Sequence, residues 1–474
     1  MGTKENLKQR LAETSVCVTI QLRPFASSGW WLSHLLFAAY LVNCWKFERS
    51  VTIEYKCSTI VVFGMVLQTY ILRHAPKIRL QKFVWILQAI PSVFVSILLI
   101  SLLYQGILFG VFIGFITLFT YHTLFNFVLR EMPNSFTYGE AAIIAQGLVV
   151  FLMNFYIKLN QKTNEHTSEM KQLTIILQIG LAGVALLACC CYFVKFLRGL
   201  AFYALLTVLT IVIILFPIDD QMAIVILIEF LIKDLQKVAM IALYVGLIGM
   251  TITTVAWQMN RHKRSNTRTR KIFHVLIVLV FVPGIVYQCA FIYVSSGIAL
   301  ALLIVLETMR IIQLSPVYNV LDNSVKCFID EKDAGLVALT PIYLLMGCSL
   351  PLWLHPCPCD LTDSAGFELL PLMAGVISVG IGDTAASIVG SKFGTHQLPF
   401  LSSHCQKTAE GTISGIVAQS LVLPLLIYYG LVHYSAFAVL KYLIAITTSS
   451  LVETYTDQID NLVLPLITFI LLSI

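Results

Sequence analysis

Asp383 stands in the stretch Gly380-Ile-Gly382-Asp383-Thr384-Ala-Ala386-Ser387-Ile-Val-Gly390-Ser-Lys392-Phe-Gly394, and Lys407-Thr408-Ala-Glu410-Gly411-Thr412 follows shortly after. Those residue types suit polyphosphate chemistry. Small residues let a backbone approach the phosphates, lysines neutralise them, hydroxyls donate to them, and carboxylates hold their divalent cation. Further on come Glu453, Asp457 and Asp460-Asn461, at spacings of four and three. On one continuous helix those carboxylates share a face, where they repel unless water screens them or a cation joins them. Upstream, Arg270-Lys271-x-x-His274 and Glu307-x-x-Arg310 each set two ionisable groups one helical turn apart. Glu307 and Arg310 fall within an apolar stretch. A charge at mid-bilayer costs about 2.5–3.5 kcal/mol, so such a pair reads as functional or as a buried structural ion pair.

Plainer readings compete at each place. The cluster at Arg270-Lys271 suits a charged end of a membrane span. Ala374, Ser378, Gly382, Ala386, Gly390 and Gly394 recur every four residues, a ridge suited to close helix packing. Packing does not account for Asp383, Thr384, Ser387, Lys392, Lys407 and Glu410. No Gly-x4-Gly-Lys-Ser/Thr loop occurs, and Gly380-x-Gly382-x-x-Ala385 lacks the strand a dinucleotide fingerprint needs. His355-Pro-Cys357-Pro-Cys359-Asp360 is stiffened by its prolines, and no second Cys/His pair matches it, so it reads as a loop and not a zinc site.

These groups must be positioned by membrane-spanning helices. Of the 474 residues, 58% are hydrophobic and only 12% charged, against about 25% charged in soluble domains. Mean hydropathy is +0.85. A soluble enzyme and a disordered chain are both excluded. The +6 net charge lacks the interleaved basic and aromatic residues of a nucleic-acid surface. Residues 83–129 hold no Asp, Glu, Lys or Arg, and as helix would run roughly 70 Å, so they form two spans that break near Gln105-Gly106. The same reasoning predicts an all-α polytopic membrane protein of about 15 spans (range 13–15): 30–45, 57–72, 83–104, 107–129, 138–158, 173–194, 199–216, 238–257, 272–294, 297–314, 336–354, 367–389, 411–432, 436–453 and 462–474. Met222–Ile232 is apolar but short and is predicted to be interfacial or re-entrant. No signal peptide is expected in the polar first 29 residues.

The most basic connector, Arg261–Lys271, sets the orientation by the positive-inside rule. Alternating from it gives the cytosolic side 21 Lys and Arg and the other side 8, with Arg310 and Lys441 inside spans. All the polar groups above then reach the cytosolic face. The expected division is a scaffold array, 1–257, with possible lipid access, and a region at 258–474 holding the polar site. One cytosol-facing site taking an anionic soluble substrate, with an acceptor drawn from the bilayer, follows. A secondary transporter is the alternative from another class, and predicts charges near the midplane reached from both faces.

Together, Arg270-Lys271-x-x-His274, Glu307-x-x-Arg310, Asp330-Glu331-x-Asp333-x-Gly335, Gly382-Asp383-Thr384-x-Ala386-Ser387-x-x-Gly390, Lys407-Thr408-x-Glu410-Gly411-Thr412 and Glu453-x6-Asp460-Asn461-x3-Pro465 resemble the CTP-dependent polyprenol kinase family. The long N-terminal array favours its members that act on dolichol. The stretch Pro399–Gln406 is less basic than the family's approach to Lys-Thr. The resemblance implies transfer of the γ-phosphoryl group of CTP to the terminal hydroxyl of dolichol, giving dolichyl phosphate and CDP. It also implies the endoplasmic reticulum membrane and sugar transfer in N-glycosylation, mannosylation and GPI-anchor assembly. The expected cofactor is a divalent cation, Mg2+ by preference, on Asp383, Asp460 and Glu453. Lys407, Lys271 and Arg310, paired with Glu307, are expected to neutralise phosphate, and Glu410 to orient the acceptor or act as base. His274, Gly382, Thr384, Ser387, Gly390, Lys392, Thr408, Gly411 and Thr412 are expected to lie against the nucleotide. Kinases of other lipid alcohols, and cytidylyltransferases that release pyrophosphate, are the enzymatic alternatives.

Overall fold

A computed structural model describes the chain from residue 21 to its end, except residues 49, 75–83, 105, 161–168, 220, 261–266, 329–334, 357–358, 360–368 and 398–406. The acidic loop Asp330–Asp333 lies outside the described residues. The apolar stretches are helical, as a bilayer requires, because backbone groups there must be satisfied within their own segment. In order, the helices are α1 (Leu35–Lys46), α2 (Ile53–His74), α3 (Val84–Leu103), α4 (Ile107–Glu131), α5 (Tyr138–Asn160), α6 (Glu169–Phe193), α7 (Leu200–Leu215), α8 (Ala223–Ile232), α9 (Leu235–Asn260), α10 (Thr267–Tyr287), α11 (Cys289–Ile311) and α12 (Tyr318–Phe328). They continue with α13 (Leu339–Leu354), α14 (Leu369–Leu372), a π-helical segment (Val376–Asp383), α15 (Thr384–Phe393), α16 (Ala409–Ser420), α17 (Val422–Tyr428), α18 (Ala436–Tyr455) and α19 (Asp460–Ser473). Among the described residues, nine helices are long and apolar enough to cross a membrane, and several shorter apolar ones, such as α13 and α19, stand among them. The protein is an all-α polytopic membrane protein.

The break after Leu103 falls where the charge-free stretch was expected to divide. Met222 closes a two-stranded hairpin (Pro217–Ile218 with Gln221–Met222), and the ten-residue α8 follows it. One boundary is corrected. The turn between the ninth and tenth spans is at Gln288, not at Ser295-Ser296. Both serines lie inside α11, where their hydroxyls donate to the carbonyls of Ile292 and Tyr293, the back-bonding that lets serine sit within a helix. The correction moves Glu307 and Arg310 from mid-span to the last turn of α11.

One apolar core draws on both parts of the chain. Leu36, Val61 and Ala145 belong to the same buried cluster as Ile285, Leu352, Ala445 and Phe469. The contrast between residues 1–257 and 258–474 is therefore one of polar content and not of packing.

Candidate functional site

The π-helical segment delivers Asp383. Its wider turns are uncommon and recur at functional sites, and here the segment is buried except at Ile381. Asp383 sits at its last residue, 4% exposed. The carboxylate faces the first turns of α10. Lys271 Nζ donates to Asp383 Oδ2, His274 Nε2 lies 3.2 Å from the same oxygen, and Ser387 Oγ donates to Oδ1 at 3.2 Å. A carboxylate this deep would be costly unpaired, and the lysine and histidine one turn apart on α10 offset that cost.

Asp383 forms part of a cavity of about 160 Å³, also lined by Arg270, Lys271, His274, Thr340, Ser387, Lys407, Ile459, Asp460 and Asn461. That is space for on the order of ten waters, or for the phosphate groups of a nucleotide. Five separate stretches of sequence meet there. Lys407 approaches from the turn before α16, and its Nζ donates to the Glu453 carbonyl at 2.5 Å and lies 3.7 Å from Glu453 Oε1. Thr408 caps α16, accepting the Gly411 N–H at 3.3 Å. Asp460 opens α19. The cations Arg270, Lys271 and Lys407, with His274, surround two cavity carboxylates, Asp383 and Asp460, an arrangement suited to an anionic ligand.

Among the described residues, no three His, Cys, Asp or Glu side chains gather into an ion cage. A phosphate-bound Mg2+ needs only one or two protein carboxylates, and Asp383 and Asp460 line the same cavity beside the buried Asn461 Oδ1, which has no hydrogen-bond partner. This donor set fits a cation that arrives with its phosphates. Glu453, behind Lys407, is set back from it.

The remaining expected site residues lie elsewhere. Glu307 and Arg310 do not line the cavity. Arg310 donates to both Glu307 oxygens (2.9 and 2.6 Å) and to the Leu336 carbonyl (2.7 Å), and Glu307 Oε1 accepts the Ala338 N–H at 2.7 Å. The pair fixes the chain just before Thr340. Arg310→Met should strip a partly buried carboxylate of its partner, a loss of about 3–5 kcal/mol, read as an early melting transition in detergent. Glu410 is held by Thr395 Oγ1 (2.7 Å) and by the N–H and Nδ1 of His396 (3.1 and 2.6 Å), at the far end of the α15–α16 turn. Lys392 is exposed, 5.0 Å over the Phe393 ring. Thr412 Oγ1 shares a 2.7 Å hydrogen bond with Thr454, and Thr384 Oγ1 is buried without a partner.

Gly382, Gly390 and Gly411 serve helix packing. A Cβ on Gly411 would sit 2.9 Å from the Ala386 carbonyl oxygen and 3.3 Å from Gly390 Cα, and one on Gly415 would sit 3.2 Å from the Gly382 carbonyl oxygen. The four-residue ridge thus seats α15 and the π-helical segment against α16, which holds the Lys407 turn beside Asp383. Gly411→Val should cost about 1–3 kcal/mol by overpacking, measurable by thermal unfolding.

A second correction concerns the acidic run. Glu453, Asp457 and Asp460 do not share a helix face, because α18 ends at Tyr455 and α19 starts at Asp460. Asp457 turns away from the cavity. It accepts from Ser27 N (2.6 Å) and Ser27 Oγ (2.8 Å) and from Gln458 Nε2 (2.7 Å). Burial alone would raise its carboxyl pKa, but those hydrogen bonds outweigh burial and hold it below the ordinary value. Thr340, Ile459, Arg23 and Glu140 were not singled out from the sequence. Only Thr137-x-x-Glu140 carries a signal, that of a capping box.

The fold and the site define a polytopic helical membrane protein with a charged, anion-suited cavity where several helix ends converge. A family model described as dolichol kinase matches residues 45–433. The chain belongs to the dolichol kinase family. It is 38% identical over 257 residues to a dolichol kinase of Mus musculus (52% of this chain, 47% of that protein). To a dolichol kinase of Bos taurus it is 33% identical over 366 residues, 73% of this chain and 66% of that one. A dolichol kinase of Homo sapiens is 32% identical over 366 residues, with the same coverage of 73% and 66%. The matched part thus spans about half to two thirds of these relatives' lengths. No solved structure matches the chain.

Proposed function

We propose that the chain transfers the γ-phosphoryl group of CTP to the terminal hydroxyl of dolichol, giving dolichyl phosphate and CDP. The observation that carries this reading is the convergence of Lys271, His274, Asp383, Lys407 and Asp460 on one cavity, in a chain of the dolichol kinase family. Phosphoryl transfer asks mainly for positioning and for compensation of charge on the phosphate oxygens. Arg270, Lys271 and Lys407 supply positive charge from two sides. Asp383 keeps Lys271 aimed into the cavity, and Ser387 steadies Asp383. Asp383 and Asp460 would hold a divalent cation, which when bound offsets the charge of the β- and γ-phosphates. Arg310, Glu307 and Glu410 act one step back, fixing the loops that border the cavity. The acceptor hydroxyl attacks the γ-phosphorus and releases its proton to water, the bond to the β-phosphate oxygen breaks, and CDP leaves with that oxygen.

The excess of Lys and Arg on one side of the chain supports a cytosolic mouth for the cavity. Residence in the endoplasmic reticulum membrane and supply of dolichyl phosphate to glycosylation are parts of the same proposal. The acceptor reaches the cavity laterally from the bilayer and the nucleotide from water. Membranes containing the chain are to be supplied with CTP, ATP, GTP or UTP and with dolichol, phytol or diacylglycerol. CTP with dolichol should give the fastest transfer. Faster transfer to another lipid alcohol, or from ATP, would overturn the substrate assignment.

A further inference from the structure

Residues 21–29 run across the N-terminal end of α5. Arg23 N donates to the Phe136 carbonyl at 3.0 Å, and Gly139 N donates to the Ser28 carbonyl at 3.0 Å. Gly139 is needed there, because a Cβ would overlap the Gly29 carbonyl oxygen. At this junction lies a fully buried ion pair, Arg23 Nη2 to Glu140 Oε1 at 3.0 Å, with side-chain exposures of 1% and 0%. Part of it is a capping box: Glu140 N donates to Thr137 Oγ1 (3.2 Å), and Thr137 N donates to Glu140 Oε2 (3.1 Å). A cap alone does not call for a buried arginine, and isolated capping carboxylates ordinarily sit in water.

The remaining bonds run to the strip between α18 and α19. Ile459 N donates to Glu140 Oε1 at 3.1 Å, Thr137 Oγ1 donates to Gln458 Oε1 at 2.7 Å, and Arg23 Nη2 donates to the Asp457 carbonyl at 3.2 Å. Gln458, 0% exposed, also donates to the Ser27 carbonyl at 3.1 Å. Each contact falls within three residues of Asp460, and Ile459 itself lines the cavity. Removing one member of a buried pair leaves the other charge uncompensated, so loss of either side chain should disturb the strip it holds.

We infer that Arg23 and Glu140 are positioning residues for phosphoryl transfer, setting Asp460 and Asn461 in the cavity through the backbone of Ile459. Their action is on the nucleotide side of the reaction. The lipid acceptor, approaching from the bilayer, is not in contact with them. The inference rests on the proposed function for its catalytic consequence and on the hydrogen bonds alone for its structural one.

The test pairs Glu140→Gln with Asp460→Asn in the full-length protein. Glu140→Gln keeps volume and much of the cap but removes the charge facing Arg23. It should raise the KM for CTP by about tenfold or more and leave the KM for dolichol within about twofold. The double variant should be little worse than Asp460→Asn alone, since one residue acts through the other. Additive losses, or an unchanged KM for CTP, would overturn the inference. Hydrogen exchange across residues 456–464 gives a readout independent of activity. Glu140→Gln should speed exchange there selectively, and uniform speeding across the chain or none would contradict the inference. If the wild-type protein transfers no phosphate from CTP, the proposed function fails, and the exchange result alone decides the positioning role. Should Glu140→Gln not fold, Arg23→Lys, which keeps the cation and loses its fork, should shift exchange at 456–464 in the same direction, and no shift there counts against the inference.

Discussion

Asp383→Asn should lower the rate of phosphate transfer at saturating CTP and dolichol by about 10³-fold or more, the scale seen when a principal electrostatic group is removed from an active site. Asn preserves the volume of Asp383 and can still accept from Ser387. It cannot hold Lys271 and His274 by charge, and it is a poor cation ligand beside Asp460. Both changes act on the reacting phosphate, so the loss belongs in kcat as well as in kcat/KM. The variant must be shown to fold, because Lys271, 11% exposed, loses its ion partner. Its elution on size exclusion and its melting curve provide that control. A folded Asp383→Asn protein with ordinary turnover would remove Asp383 from the account.

Lys407→Met is expected to act differently. Lys407 is 27% exposed at its side chain, is anchored on the Glu453 carbonyl, and lines the same cavity as Lys271. On the proposed function its charge faces phosphate before and during transfer, so its loss should weaken nucleotide binding throughout. A charge-assisted hydrogen bond contributes about 1.5–3 kcal/mol, which is roughly a 10- to 150-fold rise in the KM for CTP. The kcat should fall far less than in Asp383→Asn, and the KM for dolichol should not move. Raising ionic strength should raise the KM for CTP in the wild type by a larger factor than in the variant, because the variant has already lost one of the screened attractions. A titration of CTP at two salt concentrations checks both expectations.

Much of this site was legible in the sequence because membranes make charge scarce. Lys271, His274, Asp383, Ser387, Lys407 and Asp460 stand out against an apolar background, and alternation of spans brings their stretches to one face. The structure places all six around one cavity. What composition could not separate was touching the ligand from supporting it. Gly382, Gly390 and Gly411 satisfy a phosphate reading and a packing reading equally, and the packing contacts become visible only with the neighbouring helix. Arg310 and Glu307 share a helix turn, as the spacing required, but their partners at residues 336–338 were invisible to local spacing.

Helix ends were the weaker point for a physical reason. Hydropathy reads length and not termination, and from Val275 to Leu306 no ionisable carboxylate, lysine or arginine marks the turn. Gln288 is the one strongly polar side chain there, and the more familiar Ser-Ser pair proved compatible with a helix. Likewise, nothing in Thr456–Ile459 is a strong helix breaker, so Glu453, Asp457 and Asp460 looked collinear. Arg23 and Glu140 are 117 positions apart and gain meaning only when packed together, although Glu140 inside an expected span was a charge in need of a partner.

The central claim is that this cavity moves the γ-phosphoryl group of CTP onto a lipid alcohol. Purified protein in lipid should be given dolichol with CTP labelled either at the γ-phosphate or in the cytosine ring. Only the γ-label should enter the organic phase, as dolichyl phosphate, with ring label recovered as CDP. Ring label in the lipid with pyrophosphate released, or no label in the lipid from either form, would contradict it.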